Sequence, residues 1–258
     1  MADATIRQDM PDNNYGTITS LTSGLSSDGS SLARALLKFD LSGIPTNATI
    51  TNITLSLTEL TQPSVQSTFL LSPLLANWIE TQVTWNDSAS GAAWSDSGGD
   101  FSFDSAAEFF ITHGPGTTNQ FTDDGEFPGY GLVADVQFWI TNSAQNFGWI
   151  LTARPEDTAG NAYQFGSREN PGFQPVLTVE YTVPFAPPKI SSASITNGQF
   201  CFTFNIEPFH GYLIQTTSDL TNTNWGTILV LDPASTPQEA TLCFTLTPTN
   251  QFYRVRSD

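Results

Sequence analysis

The chain is short of charged residues, and above all of basic ones. Only 13% of its 258 residues are charged, and 8 lysines and arginines stand against 25 aspartates and glutamates, a formal net charge of −17. Binding to nucleic acids depends on clustered lysine and arginine, and so does binding to anionic membrane surfaces. The composition therefore argues against a nucleic-acid partner and against an anionic membrane surface.

Long apolar runs are also absent. No run approaches the roughly 20 residues that a membrane-spanning helix needs, so we expect no membrane insertion. The amino-terminal sequence MADATIRQDM lacks the basic-then-apolar layout of a secretory signal. Two interpretations fit, a mature secreted domain preceded by an added Met or a non-secreted protein with its natural start. The composition favours an extracellular or cell-surface location.

Several common catalytic motifs do not occur in the sequence. Its two histidines, His113 and His210, have no zinc-binding spacing, and no Gly-x-Ser-x-Gly elbow or glycine-rich phosphate loop occurs. Glycoside cleavage needs two carboxyl groups about 5 to 10 Å apart across a cleft, and an acidic chain offers such pairs by chance. We therefore predict that the protein is not an enzyme.

What the sequence does contain is typical of an all-β protein: Thr, Val, Ile and Phe are frequent, and Gly and Pro recur along the chain. In ARALLKFDLSGIP, residues 33–45, a period of two predicts a strand at about 33–40 with Leu37 and Phe39 facing the core. The run ATITNITLSL predicts the next strand. Further strands are predicted at about 68–75, 131–139, 147–153 and 175–183. The stretch that begins at Val133 also fits one or two helical turns, so both alternatives stay open.

The proline-rich segment PFAPPK, residues 184–189, predicts a stiff linker between two domains. Residues 1–183 carry 20 of the acidic residues and only 5 of the basic ones, so the acidity belongs to the first domain. Residues 190–258 contain short alternating runs that predict a small Ig-like or fibronectin-like β-sandwich. Cys201 and Cys243 lie centrally in similar runs, which fits either a disulfide between facing strands or two buried thiols.

Several segments of the first domain, taken in order, resemble one known family. The segments are DATIRQDMPDNNYGT, RALLKFDLSGIP, NWIETQVTWN, DVQFWI, GWILTAR, FGSREN and QPVLTVEYT. Together they resemble the DNRLRE family of bacterial extracellular domains over residues 3–183. The resemblance implies a jelly-roll β-sandwich, similar to carbohydrate-binding modules attached to polysaccharide-degrading enzymes, including alginate-active ones. GYLIQTTSDLTNTNW and QFYRVRS resemble a short C-terminal module of secreted proteins from Verrucomicrobia-like bacteria.

Two acidic segments, SDSGGDFSFD and FTDDGEFPGY, are candidates for a calcium site. Calcium takes six to eight oxygen ligands, which dense carboxylates in glycine-containing loops can supply. The candidate ligands are Asp96, Asp100, Asp104, Asp123, Asp124 and Glu126. Neither segment has EF-hand spacing, so the alternative is a solvated acidic loop. Calcium in a structural role is the cofactor that the sequence suggests.

Sugar binding needs flat aromatic faces beside polar or charged side chains. The aromatic candidates outside the predicted core are Tyr15, Trp94, Tyr130 and Tyr163. The basic candidates are Arg34, Lys38, Arg154 and Arg168, with Arg7 also available. An arginine could bind a uronate or sulfate through two parallel hydrogen bonds. Alternatively, Arg34 and Arg168 pair with carboxylates such as Asp40 and Glu169.

These observations lead us to expect a non-catalytic extracellular module that binds polysaccharide, with an acidic polymer as one option and calcium as a support. The alternative is a structural subunit that assembles with copies of itself into a stalk, adhesin, fibre or virion component. In that case the edge strand ADATIRQ could pair with a neighbouring copy.

Overall fold

The computed structural model of the protein describes residues 1–61, 63–111, 114–123, 129, 131–184, 187–208, 210–221 and 223–257. The chain divides into two compact units, Met1–Pro184 and Phe185–Asp258. Part of the predicted linker, residues 185–186, lies outside the described residues. The all-β prediction is confirmed, because strands provide almost all of the regular structure in both units.

Strands and one helix build the first unit. The strands are β1 (Ala2–Arg7), β2 (Ser20–Leu25), β3 (Leu32–Lys38), β4 (Thr49–Thr58), β5 (Thr68–Pro73), β6 (Asp87–Ala89), β7 (Ala92–Ala93), β8 (Ala107–Phe110), β9 (Thr118–Asp123), β10 (Trp149–Arg154), β11 (Tyr163–Gly166) and β12 (Val176–Thr182). The helix is α1 (Leu132–Thr141), followed by a single 3₁₀ turn at Ser143–Gln145.

Two antiparallel sheets form the β-sandwich of the first unit. The larger sheet has the order β11-β2-β3-β10-β5-β8, with β1 added alongside β3, and the smaller sheet has the order β12-β4-β9. A continuous apolar core contains residues from both sheets, among them Leu37, Leu55 and Phe69. We call this cluster the inner core. A pair of short strands, β6 and β7, stands apart from both sheets.

Strand β3 is buried on both of its faces. Leu36 and Leu37 are both fully buried, although successive side chains of a strand point to opposite faces. Leu37 packs in the inner core, whereas Leu36 belongs to a second apolar cluster. This double burial is why Leu36 breaks the polar-apolar alternation that otherwise identified the strand.

The stretch around residue 135 is helical, so the predicted strand at 131–139 is wrong and the helical alternative is confirmed. Its buried residues are Leu132, Val136, Trp139 and Ile140. These positions recur at the spacing of one helix face, which packs against the inner core.

The second unit consists of two three-stranded sheets. Its strands are β13 (Ile190–Thr196), β14 (Gln199–Ile206), β15 (Tyr212–Thr217), β16 (Gly226–Leu231), β17 (Gln238–Thr245) and β18 (Phe252–Ser257), in the orders β13-β14-β17 and β16-β15-β18. Phe202, Phe204 and Tyr212 are buried in its core. Cys201 and Cys243 face each other on β14 and β17 and are joined by a disulfide.

Candidate functional site

The outer face of the larger sheet is covered by the chain between β5 and β8, residues 74–106, which we call the cover segment. Trp78, Trp85 and Trp94 from this segment pack on Leu36 and Ile150 of the sheet, forming the second apolar cluster. Its regular structure is the short pair β6 and β7, and such a long loop in a compact domain often has a function.

Trp94 does not have the exposed face that its predicted role as a sugar platform requires. The side chain is 5% exposed, and its Nε1–H donates to the carbonyl oxygen of Thr84 at 3.0 Å. Tyr163 is also buried, between the sheets, where its hydroxyl donates to the carbonyl oxygen of Ile111. Both predictions are wrong, because these rings fill apolar space that the sequence alone could not locate.

The remaining aromatic candidates are Tyr15 and Tyr130. Tyr15 is half-buried, forms a β-bridge with Thr5 and has the Arg7 guanidinium 5.4 Å from its ring centroid. The Glu80 carboxylate also contacts β1, because it accepts a hydrogen bond from the backbone N–H of Asp3. The predicted ADATIRQ edge is therefore partly covered. Tyr130 lies outside the described residues.

Each arginine of the first unit has a carboxylate oxygen within ion-pair distance. The pairs are Arg7–Asp9 at 2.7 Å, Arg34–Glu156 at 2.7 Å, Arg154–Glu108 at 3.9 Å, and Arg168 with Glu80 at 2.8 Å and with Glu169 at 2.7 Å. The predicted pairing of Arg168 with Glu169 is present. Asp40 is not the partner of Arg34, because it accepts instead from the nearby backbone N–H of Ser42.

Lys38 contacts uncharged groups. Its ammonium donates to the Oδ1 atom of Asn77 at 3.1 Å and lies 5.5 Å from the ring centroid of Trp78. Burial lowers the pKa of the Lys38 ammonium below its usual value. The basic candidates are thus engaged by groups of the protein itself, and Lys38 and Arg168 both interact with Glu80.

The acidic candidates also have different hydrogen-bond partners. Asp100 accepts hydrogen bonds from the backbone N–H groups of Ser95 and Asp96 and so shapes its own loop. Asp123 accepts from the backbone N–H of Val133 in the first turn of α1. Asp124 and Glu126 lie outside the described residues. Within the described ranges, no three His, Cys, Asp or Glu side chains, those of Asp96, Asp100 and Asp104 included, are arranged to hold a metal ion.

An open pocket of about 650 Å³ lies on the cover segment. Its walls include Leu75, Ser95, Asp96, Asp100, Phe101 and Phe103, and we call it the Phe103 pocket. Phe103 is 96% exposed, and its ring centroid is 6.3 Å from that of Phe101. An exposed apolar ring of this size next to serine and aspartate side chains has the character of a binding surface.

The backbone that carries Phe101 and Phe103 is anchored to the larger sheet. Ser102 donates its N–H to the carbonyl oxygen of Pro73 at 2.9 Å, and Leu75 donates to the carbonyl oxygen of Asp100 at 2.8 Å. A bridge between Leu74 and Phe101 adds to this pairing. The exposed ring is therefore presented by a hydrogen-bonded edge of the sandwich.

Arg34 of β3 also lines the Phe103 pocket and holds its inner side together. Its Nε and Nη2 atoms donate to the two carboxylate oxygens of Glu156 at 2.8 and 2.7 Å, and Nη1 donates to the carbonyl oxygen of Gly98 at 2.8 Å. The guanidinium carbon lies 5.0 Å from the Trp85 ring centroid and 5.1 Å from that of Phe101. These contacts fix the guanidinium between two aromatic rings.

Gly98 makes this close packing possible. Its φ of +101° lies in a region that favours glycine, and an added Cβ would come within 2.8 Å of the Trp85 ring. The loop can therefore approach Arg34 only if this position has no side chain.

Sequence reasoning missed Phe103 because only tyrosines and tryptophans outside the predicted core were considered. A signal was present in DFSFDS, where two phenylalanines alternate with serine inside a polar, glycine-containing loop. A ring in such a segment has few apolar neighbours along the chain. One of the two, Phe101, packs on the second apolar cluster, and the other is left in solvent.

The family profile of carbohydrate-binding module family 96 matches residues 1–110. The match contains the whole cover segment and every residue that lines the Phe103 pocket. Residues 1–110 of the first unit are therefore similar to a carbohydrate-binding module. A search of the curated proteins finds no match for the chain.

The match does not extend to the second unit, so the resemblance of that unit to a module from Verrucomicrobia-like bacteria stays a prediction. The resemblance of the first unit to the DNRLRE family also stays a prediction. Among the described residues there is no helix with the length and apolar character needed to cross a membrane.

Proposed function

We propose that the protein is a non-catalytic extracellular module that binds polysaccharide in the Phe103 pocket. The observation that carries the proposal is the 96% exposure of Phe103 on an anchored segment of a carbohydrate-binding-module-like domain. Stacking against the Phe103 ring would hold a sugar ring, and hydroxyl groups of the sugar would donate to the carboxylate of Asp96 or contact Ser95.

The pocket has the character of a binding site in size and shape. Its volume of about 650 Å³ lies within the range of roughly 300 to 1,000 Å³ that is typical of small-molecule sites. Leu75, which is 62% exposed, extends the apolar surface beside the two phenylalanines. An open pocket of this kind suits a chain of sugar units that continues beyond the protein on both sides.

The test is the substitution Phe103→Ala in the full chain, with Phe138→Ala as the matched control. Phe138 lies on α1, does not line the Phe103 pocket and is 46% exposed, so it serves as a second surface ring. Polysaccharide binding is measured by affinity electrophoresis against a panel of soluble polymers and then by calorimetry. We expect Phe103→Ala to weaken binding about 10-fold, equivalent to about 1.4 kcal/mol.

The melting temperature separates a lost platform from a damaged fold. Phe103 is exposed, so Phe103→Ala should leave the melting temperature within a few degrees of the parent protein. Unchanged affinity in Phe103→Ala, with binding otherwise intact, would remove the pocket from consideration as the sugar site.

The same preparation tests the alternative role as a self-assembling subunit. Electron microscopy and light scattering of the purified chain should show uniform small particles if binding is its function. Ordered filaments or rings, together with no binding to any polymer, would favour assembly. Repeating the binding assay in a chelator tests the expectation of calcium support, which predicts weaker binding or a lower melting temperature after calcium removal.

A further inference from the structure

The charge of the Phe103 pocket restricts what kind of polysaccharide it can accept. Arg34 is the cationic side chain that lines the pocket, and Glu156 binds it through two parallel hydrogen bonds. A third donor of the guanidinium is used by the carbonyl oxygen of Gly98. The arrangement that would recognise a uronate or sulfate group is therefore already filled by a carboxylate of the protein itself.

The Arg34 side chain is also poorly accessible from the pocket. It is 13% exposed, since the rings of Trp85 and Phe101 lie about 5 Å from the guanidinium carbon. An external anion would have to displace Glu156 from a partly buried pair, which leaves one carboxylate without its partner. Breaking such a pair is costly compared with what a sugar anion would gain.

The other charged groups of the pocket are acidic. Asp96 and Asp100 both line it, and with the charge of Arg34 neutralised by Glu156 they leave the pocket negative. Charges act over about 8 Å at physiological ionic strength, so a bound acidic sugar would lie within range of both carboxylates. The first unit as a whole is strongly acidic, and each of its arginines is paired with a carboxylate.

The same groups suit an uncharged sugar. Carboxylate oxygens accept hydrogen bonds from sugar hydroxyls without repulsion, and the serine hydroxyls of the pocket can donate or accept. The exposed ring of Phe103 contributes apolar contact that does not depend on ligand charge.

From this arrangement we infer that the ligand of the Phe103 pocket is an uncharged, hydroxyl-rich polysaccharide and that Arg34 is a positioning residue which holds the pocket wall. The inference rests on the proposed function and corrects the expectation that arginines would bind an acidic polymer. Arg34 joins β3, the loop at Gly98 and Glu156, and so fixes the surface on which Phe101 and Phe103 stand.

The experiment compares polymers that differ in charge and share a backbone. The full chain is titrated with polygalacturonate and with its fully methyl-esterified form, and with sulfated and unsulfated galactan, at about 50 and about 500 mM NaCl. We expect at least one uncharged polymer to bind about 10-fold or more tightly than its charged counterpart, with little dependence on salt.

A charge variant sharpens the comparison. Asp96→Asn should reduce the ratio of the two dissociation constants, charged over uncharged, because it removes one repelling charge from the pocket. Glu180→Gln is the matched control: Glu180 is exposed on β12 in the opposite sheet, and its removal should leave the ratio unchanged.

Three outcomes are distinguishable. Preference for the uncharged polymer, lost in Phe103→Ala, supports the inference. Tighter and salt-sensitive binding of the charged polymer, also lost in Phe103→Ala, overturns the inference and leaves the proposed function standing. Binding of neither member of any pair overturns the proposed function and the inference with it.

Discussion

The inner core and the cluster under the cover segment share strand β3 but are held together in different ways. In the inner core, aromatic rings contact one another directly, as in the edge-on pair Phe69–Tyr163 at 5.2 Å. Under the cover segment, two of the three tryptophans are tied by indole N–H groups to backbone carbonyls, and Arg34 is inserted between two rings.

The two clusters of the first unit therefore differ in what stabilises them. The inner core rests mainly on apolar residues at alternate positions of its strands and on the buried face of α1. The outer cluster depends on individual hydrogen bonds that fix an irregular segment, and that segment presents Phe103. Changes to the two faces of β3 should therefore have separable effects.

The largest expected loss of stability comes from shortening a buried leucine side chain on either face of β3. Leu37→Ala opens the inner core and Leu36→Ala opens the outer cluster, and each should lower the free energy of unfolding by about 2 to 5 kcal/mol. Below the melting transition, Leu37→Ala should keep the polysaccharide affinity of the parent, whereas Leu36→Ala should weaken it because the cover segment loses support. Denaturant unfolding measures the stability, and calorimetry measures the polysaccharide affinity. An equal loss of affinity in both variants would show that the two faces of β3 do not have separable effects.

The next effect concerns the partly buried carboxyl of Asp135 on α1. Burial raises the pKa of Asp135 to about 6, although its carboxylate accepts from the indole N–H of Trp149 at 2.7 Å. A raised folded pKa means that protonation favours the folded state, so this contribution is complete below about pH 4 and lost as the pH rises through 6. Asp135→Asn should therefore raise the melting temperature by a few degrees at pH 8 and change it little at pH 4.

The pKa of Asp28 is shifted in the opposite direction, so Asp28 serves as a comparison in the same thermal assay. Hydrogen bonds from Ser26 and Ser30 lower its pKa to about 2, so its contribution is present above about pH 4 and lost below. Asp28→Asn should leave the protein slightly less stable at pH 8. If both variants shifted in the same direction at pH 8, the assignment of the Asp135 effect to burial would be wrong.

A smaller effect is expected from the ion pair of the outer cluster. Glu156→Gln removes one of the two hydrogen bonds to Arg34, because an amide nitrogen cannot accept, and takes the charge from the other. It should cost about 1 to 2 kcal/mol of unfolding free energy, together with a few-fold loss of polysaccharide affinity. Glu108→Gln is the matched control, because its pair with Arg154 is mostly exposed and 3.9 Å long. An equal loss in both variants would mean that Arg34 has no special part in holding the pocket wall.

The strands of the sandwich were accessible from the sequence because a half-buried strand repeats every two residues. β10 and β12 lie close to the predicted ranges, and the break at Leu36 was visible even though its cause, a second buried face, was not. The strand predicted at 131–139 was wrong because a short apolar run there fits both periods.

The candidate site was much less predictable. Arg34 was recognised as a residue of interest, but its partner Glu156 is 122 positions away and was not considered. The burial of Trp94 depends on the carbonyl of Thr84, and the exposure of Phe103 depends on where its segment meets β5. Contacts of this kind follow from the folded arrangement of distant segments and leave no periodic trace in the sequence.

The position of β10 has a practical consequence for anyone who wishes to transfer the Phe103 pocket to another protein. β10 lies between β3 and β5 and pairs with both, and Glu156 follows it by two residues. A fragment cut at residue 110, where the family match ends, would lose this strand and the partner of Arg34. A fusion protein that is to carry an intact Phe103 pocket should therefore include the whole compact unit Met1–Pro184.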